Sequence, residues 1–411
     1  MISDGGGFNH FAAASLYHTG RPDAELCNSF RVRLAASTFP SGGGYDPARA
    51  WDGCDYIKGG ATDSAAAATA LACGVKTHNG AIGVDAEGQR VPSVTELAEA
   101  TGRATGLLTS VPFSHATPAG FVAHVASRGA YTRIARQMIR YSGIDVVIGA
   151  GHPWYDDSGR RLETPRFAYI GEAEFQALQQ GTVGSDADGD RVADPWRFVQ
   201  SAAELQAAVS GRPAKRLFGL MPVASTLQAG RASPEDNPPD KALPFSVPFN
   251  QGVPSLAQMT EAALRVLGTD PDGLFLVVEG GAVDWAAHSN YAGRMIEEQM
   301  DFDAAVAAVV RWVERHSSWD ETLLIVTADH ETGCLTGPGS GPEWKPLVGK
   351  GKGQVPEMEW HSGDHTNSLV PLFARGAGAP LLRRAADQQD PVRGSYLDNT
   401  EIAAVMRAVL Q

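Results

Sequence analysis

Short apolar runs recur along this chain, and most of them stop at a residue able to do chemistry. Gly273 to Val278 is almost continuously apolar, which predicts a central parallel strand covered on both faces, and Glu279 follows directly. Ala104 to Thr109 predicts a buried strand that leads to His115, and Thr322 to Thr327 predicts one that leads to Asp329. Met1 to Ser3 reads as the end of another, running into Asp4 and three glycines that let backbone approach a ligand closely. Ile144 to Ile148, Arg216 to Leu220 and Leu369 to Ala374 add further strands, the last of these being the final one expected. Residues 11–58 are mixed and broken by Gly and Pro.

Between these runs the apolar spacing predicts helices over Pro254 to Leu267, Met295 to Glu314 and 399–410. Ser93 to Thr101 carries its own signals: Ser93 caps, Glu96 completes a capping box, and Gly102 stops the helix. Ala65 to Cys73 holds strong helix formers, with Thr62 or Asp63 as cap and Gly74 as stop. Strands alternating with helices predict an α/β fold, a doubly wound, mostly parallel central sheet flanked by helices. Within a single domain over 1–411, residues 151–254 read as an inserted segment and 337–362 as a crown-like loop insertion. Ligands of such sheets bind beyond the carboxyl ends of the strands. Asp4, His115, Glu279, Asp329 and the approach to Ser64 all fall there.

The residues at those ends suit metal and phosphate chemistry. Ser64 sits in the first turn of its helix, where free N–H groups and the dipole favour an anion, but a serine needs activation to attack. His115 and Thr117, read as an extended segment, point to one side and can share a metal. Arg128 can hold two phosphate oxygens with its planar fork. Asp284 and His288, four apart on a helix, can grip one ion, and His330 and His365 add imidazoles. His124 reads as a hydrogen-bonded helix histidine without a role in the site.

Composition narrows the reading. The 411 residues are 43% hydrophobic and 20% charged, a soluble globular profile, and no apolar run reaches the ~18 residues of a membrane span. A net charge of −13 excludes a basic nucleic-acid binding face. The four cysteines show no CxxC spacing; Cys27 and Cys54 could pair in an exported protein. Asp186, Asp188, Asp190 and Asp194 form either a calcium loop or a plain acidic turn. No signal peptide precedes Met1, and the half-strand there leads us to expect a trimmed or mis-started chain.

Taken together, Thr62-Asp63-Ser64-Ala65-Ala66, His115-Ala-Thr117-Pro-Ala, Val278-Glu279-Gly with Asp284-Trp and His288, Thr327-Ala-Asp329-His330 and His365-Thr366 closely resemble the alkaline phosphatases, in order and over nearly the whole chain. The resemblance implies a homodimeric, periplasmic or extracellular enzyme that hydrolyses small phosphate monoesters to inorganic phosphate through a phosphoserine. It implies two Zn²⁺ and one Mg²⁺: one zinc on Asp284, His288 and His365, a second on Asp4, Asp329, His330 and Ser64, and magnesium on Asp4, His115, Thr117 and Glu279. Arg128 would hold the phosphate. His115 stands where some members have aspartate, which opens the third site to zinc or cobalt as well. Trp285 replaces a lysine or histidine of some members, and Asn367 a common glycine. The rival readings are a phosphodiesterase of the same superfamily and a non-enzymatic, exported calcium- and phosphate-binding protein.

Overall fold

Eleven strands form one sheet, in the order Gln388–Asp390, Gly394–Asp398, Val32–Ser37, Val370–Gly376, Leu323–Thr327, Ile2–Ser3, Leu274–Gly280, Ala104–Pro112, Val146–Ala150, Leu217–Leu220 and Arg197–Val199. In this computed structural model, which describes residues 1–411 except 188–190, 212 and 342, only Val370–Gly376 and Gln388–Asp390 run against the rest. The sheet is therefore mixed and mostly parallel, with helices on both faces.

The continuous apolar runs have a plain cause. Leu107, Val147, Phe218 and Val277 pack into the layer that holds Leu71, Phe121 and Ile402. Their neighbours Leu108, Val146, Leu217 and Val278 pack into the opposite layer, with Leu264, Phe302 and Val313. Alternate side chains thus go to opposite faces, and both faces are dry. The flanking helices are Ser64–Cys73, Ala116–Val122 and Asn399–Leu410 on one side and Leu256–Leu267 and Ala292–His316 on the other.

Strand register sets the site. Ile2 lies opposite both Glu279 and Thr327, so the short Ile2–Ser3 strand delivers Asp4 beside Asp329. Thr109 lies opposite Glu279 in the next ladder. The three loops that follow these strands then share one edge of the sheet.

Several expectations need correction. Val370–Gly376 is not the final strand: Gln388–Asp390 and Gly394–Asp398 follow and form an edge. Gln388 and Gln389 are exposed, so these strands lack the apolar run that marks the inner ones. The mixed stretch 11–58 holds most of a helix, Phe8–Thr19, and the strand Val32–Ser37. His115 and Thr117 do not lie on an extended segment. His115 is the N-cap of Ala116–Val122, and Thr117 is in its first turn. Pro118, which reads as a breaker, sits in that first turn, where a missing N–H costs nothing. His124 lies just beyond the helix, with Nδ1 2.7 Å from the Gly83 carbonyl. Cys27 and Cys54 do not meet; Cys27 belongs to the layer of Phe11 and Phe302, and Cys54 packs with Cys334.

Residues 151–254 contribute the helices Glu172–Gln180 and Ala202–Ala208 and the strands Arg197–Val199 and Leu217–Leu220 at the sheet edge. Of the acidic loop, Asp188 and Asp190 lie outside the described residues. Asp186 accepts the Arg191 amide, and Asp194 accepts the Ala187 amide and pairs with Lys215 at 2.7 Å. Between Leu335–Thr336 and its partner Glu359–Trp360, Val348 and Glu357 form an isolated bridge.

Candidate metal centre

Ser64 opens a ten-residue helix whose cap is Asp63, one oxygen of which accepts the Ala66 amide at 2.9 Å. The helix is buried along its whole length, so its first turn is held rigid. From there Ser64 Oγ reaches 3.2 Å from His330 Nε2. His330 in turn stands 3.4 Å from Asp4 and 3.2 Å from Asp329, all three fully buried. Asp4, Asp329 and His330 can hold one cation between them.

A second cluster lies alongside. Asp284, in the helix Ala282–His288, approaches His288 Nε2 at 3.3 Å and His365 Nε2 at 3.5 Å, and the two Nε2 atoms are 3.0 Å apart. The His330 and His365 rings stack with centroids 3.6 Å apart, so the two clusters share a wall. Each imidazole is anchored at Nδ1: His288 at 2.6 Å from the Gly363 carbonyl, His365 at 2.9 Å from the Thr62 carbonyl, and His330 near Thr332 Oγ1. That leaves Nε2 turned inward on all three, as a metal ligand requires.

The third set comes together in part. Glu279 accepts a hydrogen bond from Thr109, and its charge is felt at Asp4. His115 turns its Nε2 to Arg128 at 3.3 Å. Arg128 also pairs with Asp63 at 2.9 Å, and Ser64, His115, Arg128, Asp284 and His365 line one open cavity of about 660 Å³.

Electrostatics point the same way. Burial first, then the charges of Asp329, Asp284 and Glu279, push the Asp4 carboxyl well above its ordinary range. Burial takes Glu279 up to about 7 and Asp329 up to about 6. Burial followed by the Arg128 charge brings His115 down to about 3, so its ring is neutral and able to bind a metal. Asp284 is held well below its usual range in spite of burial, by bonds from His288 and His365, while the Asp284 bond lifts His288 to about 9. Protons and cations therefore compete for this cluster. Both Asp4 oxygens, Asp329 Oδ2, Glu279 Oε1, Thr117 Oγ1 and His115 Nδ1 are buried without a hydrogen-bond partner. Orphaned carboxylate oxygens are costly to bury. Four buried acids and the imidazoles beside them fit divalent cations, with the nitrogen-rich set on Asp284, His288 and His365 and the oxygen-rich set around Glu279.

Sequence reading missed the groups behind these ligands. Asp63 holds Arg128 as well as capping its helix; Thr332 donates to Asp284; Glu331 accepts the Cys334 and Leu335 amides and Thr366 Oγ1. The signal for Asp63 was in the sequence, since a cap carboxylate has a second oxygen to offer.

The family model for alkaline phosphatase matches residues 1–354. Alkaline phosphatase 4 of Bacillus subtilis (strain 168) is 33% identical over 348 residues, covering 81% of this chain and 64% of its own length. The chain thus spans less than two thirds of that relative. Alkaline phosphatase of Escherichia coli (strain K12) is 30% identical over 367 residues, with 82% of this chain and 72% of the relative covered. Among solved structures, the cold-active alkaline phosphatase of the psychrophile Shewanella sp. superposes with a TM-score of 0.72 at 23% identity, covering 100% of this chain and 98% of that one. A mutant of the TAB5 alkaline phosphatase, whose structure has Mg bound in its M3 site, gives 0.66 at 23% identity, covering 100% and 96%.

Proposed function

The chain belongs to the alkaline phosphatase family, and on that premise we propose that it hydrolyses phosphate monoesters through a phosphoserine formed on Ser64. The observation that carries this reading is Ser64 Oγ, held at the N-terminus of a rigid helix and 3.2 Å from His330 Nε2, at the junction of two acid–imidazole clusters. A phosphoryl group there meets the Arg128 fork on one side and the helix amides on another. Both bind the non-bridging oxygens and neutralise charge as the bond to the leaving alcohol breaks. Ser64 takes the phosphoryl group, the alcohol departs with a proton, and water then releases inorganic phosphate and restores the serine. Asp63 keeps Arg128 aimed through both steps.

Asp284, His288 and His365 would hold one Zn²⁺, and Asp4, Asp329 and His330 with Ser64 the other. Asp4, Thr117, Glu279 and His115 would hold Mg²⁺. Ions so held would lower the pKa of the serine and stabilise charge on entering and leaving oxygens.

The test is hydrolysis of a chromogenic phosphate monoester beside the matching diester, each with and without a chelator. Monoester turnover that the chelator abolishes is expected; preferential diester turnover would move the chain to the phosphodiesterase reading. Export and a homodimer follow from family likeness, and cell fractionation and sedimentation of the purified protein test them.

A further inference from the structure

The side chains of Cys54 and Cys334 are brought into one apolar cluster, although 280 positions separate them in the chain. They share an apolar cluster with Ala50, Ile57, Trp51 and Trp344. Cys54 opens the four-residue helix Cys54–Ile57 and is half-buried; Cys334 is 2% exposed and holds a left-handed φ of 47°. The other two cysteines are placed elsewhere: Cys27 lies in the opposite layer, and Cys73 ends the Ser64 helix beneath the Val91 carbonyl.

What the pair joins gives it consequence. Downstream of Cys54, the Ile57 carbonyl accepts the Asn367 amide at 2.6 Å, and the Thr62 carbonyl anchors His365. Lys58 and Thr62 line the phosphate cavity. The Cys334 amide is held by Glu331, next to His330. A bond between the two sulfurs would therefore tie the strap behind His365 to the turn behind His330.

We propose that Cys54 and Cys334 close a disulfide that fastens these two walls of the metal centre. The chemistry is exchange with a small-molecule disulfide as oxidant. The Cys54 thiolate, the more exposed of the two, attacks it and releases one thiol. Cys334 then attacks the mixed disulfide and releases the second. Two protein S–H bonds become one S–S bond; two electrons and two protons leave on the two released thiols. Burial pushes both protein thiols up in pKa, so exchange proceeds while the Cys54–Ile57 helix is open, as in a chain still folding in an oxidising compartment.

The test refolds the full chain with oxidised glutathione in one arm and dithiothreitol in the other. Thiols are counted after denaturation, and cross-linked peptides are mapped by mass spectrometry without reduction. Expected in the oxidised arm are two free thiols, Cys27 and Cys73, a Cys54–Cys334 peptide, and a Tm higher by roughly 3–8 °C. C54S and C334S should lose both the cross-link and the Tm difference between the arms. Four free thiols in the oxidised arm, or a cross-link through Cys27 or Cys73, overturns the proposal. The wild-type map decides even where a serine variant fails to fold.

Discussion

Asp63 accepts the Arg128 guanidinium at 2.9 Å with one carboxylate oxygen and the Ala66 amide at 2.9 Å with the other. The first oxygen also accepts the Gly80 amide. One side chain thus caps the Ser64 helix and fixes the cation that faces the serine, so the two move together.

The two jobs separate by substitution. Asp63→Asn keeps a capping oxygen but loses the ion pair, and a freer Arg128 must lose more conformational freedom to grip phosphate. Inhibition by inorganic phosphate should weaken about tenfold, or ~1.4 kcal/mol, with little change in Tm. Asp63→Ala should weaken it similarly and also cost about 1 kcal/mol of stability from the lost cap. Unchanged phosphate inhibition in both variants would detach Asp63 from the site.

Ser64→Ala removes the oxygen that takes the phosphoryl group and leaves the acid–imidazole clusters intact. Monoester turnover should fall at least about 100-fold, labelled phosphate should no longer attach to the protein, and metal content should be unchanged. Near wild-type turnover would sink the serine assignment.

How much of this was legible is best argued from individual residues. Glu279 and Asp329 could be placed at strand ends because both faces of their strands are buried, and that leaves an unbroken apolar run in sequence. Asp284 and His288 declared themselves by helical spacing. The Phe8–Thr19 helix did not, since Gly7 caps it without a side chain and glycines precede it. His115 was read on an extended segment, yet Pro118 stands in the first turn of a helix, where proline is as much at home as in a break. Asp63 with Arg128, and Cys54 with Cys334, are partnerships made by tertiary packing across long separations, which local patterning does not record.

His288→Ala and His365→Ala each remove one of three ligands from the Asp284 cluster. Each variant should bind about one zinc fewer than wild type and lose most activity. Thr332→Val leaves all three ligands but frees the Asp284 carboxylate, and should weaken metal affinity by roughly 10–100-fold. Elemental analysis and competition with a chelator check both; two tightly held zinc ions in His365→Ala would refute the assignment.

Stability should fall as pH rises from mildly acidic through neutral. Burial, reinforced by Asp301 and Glu297, pushes Glu298 up to about 8 from an ordinary 4.5. The folded state binds the proton more tightly than the unfolded one. Its contribution is thus complete below pH 4.5 and is lost as pH rises through about 8. Tm should drop between about pH 4.5 and pH 8, and Glu298→Gln, a neutral side chain of the same shape, should reduce that drop. An identical pH profile in the variant would show that Glu298 does not titrate in the folded protein.

Leu274–Gly280 and Leu323–Thr327 flank a slot in the central sheet. Ile2 pairs with Glu279 and Thr327, and Met1 bonds Ile325 and Thr327 through its own backbone. Below that point the two longer strands face each other without a strand between them, and Leu274, Leu276, Leu323 and Ile325 are only half-buried. A cavity of about 560 Å³ opens there, reaching Leu71 and Phe121 in one layer and Leu264 and Trp312 in the other. About four extended residues at ~3.3 Å each would reach the level of Leu274. Adding four valine or isoleucine residues ahead of Met1 should therefore fill the cavity and extend both ladders. Tm should rise by several degrees, and the amides of this slot should exchange more slowly with solvent. Metal affinity should rise with it, because a firmer strand would hold Asp4, two residues beyond Ile2, more rigidly. A Gly-Ser extension of equal length is the control; if it stabilises the protein as much as the apolar one, the slot does not take a strand.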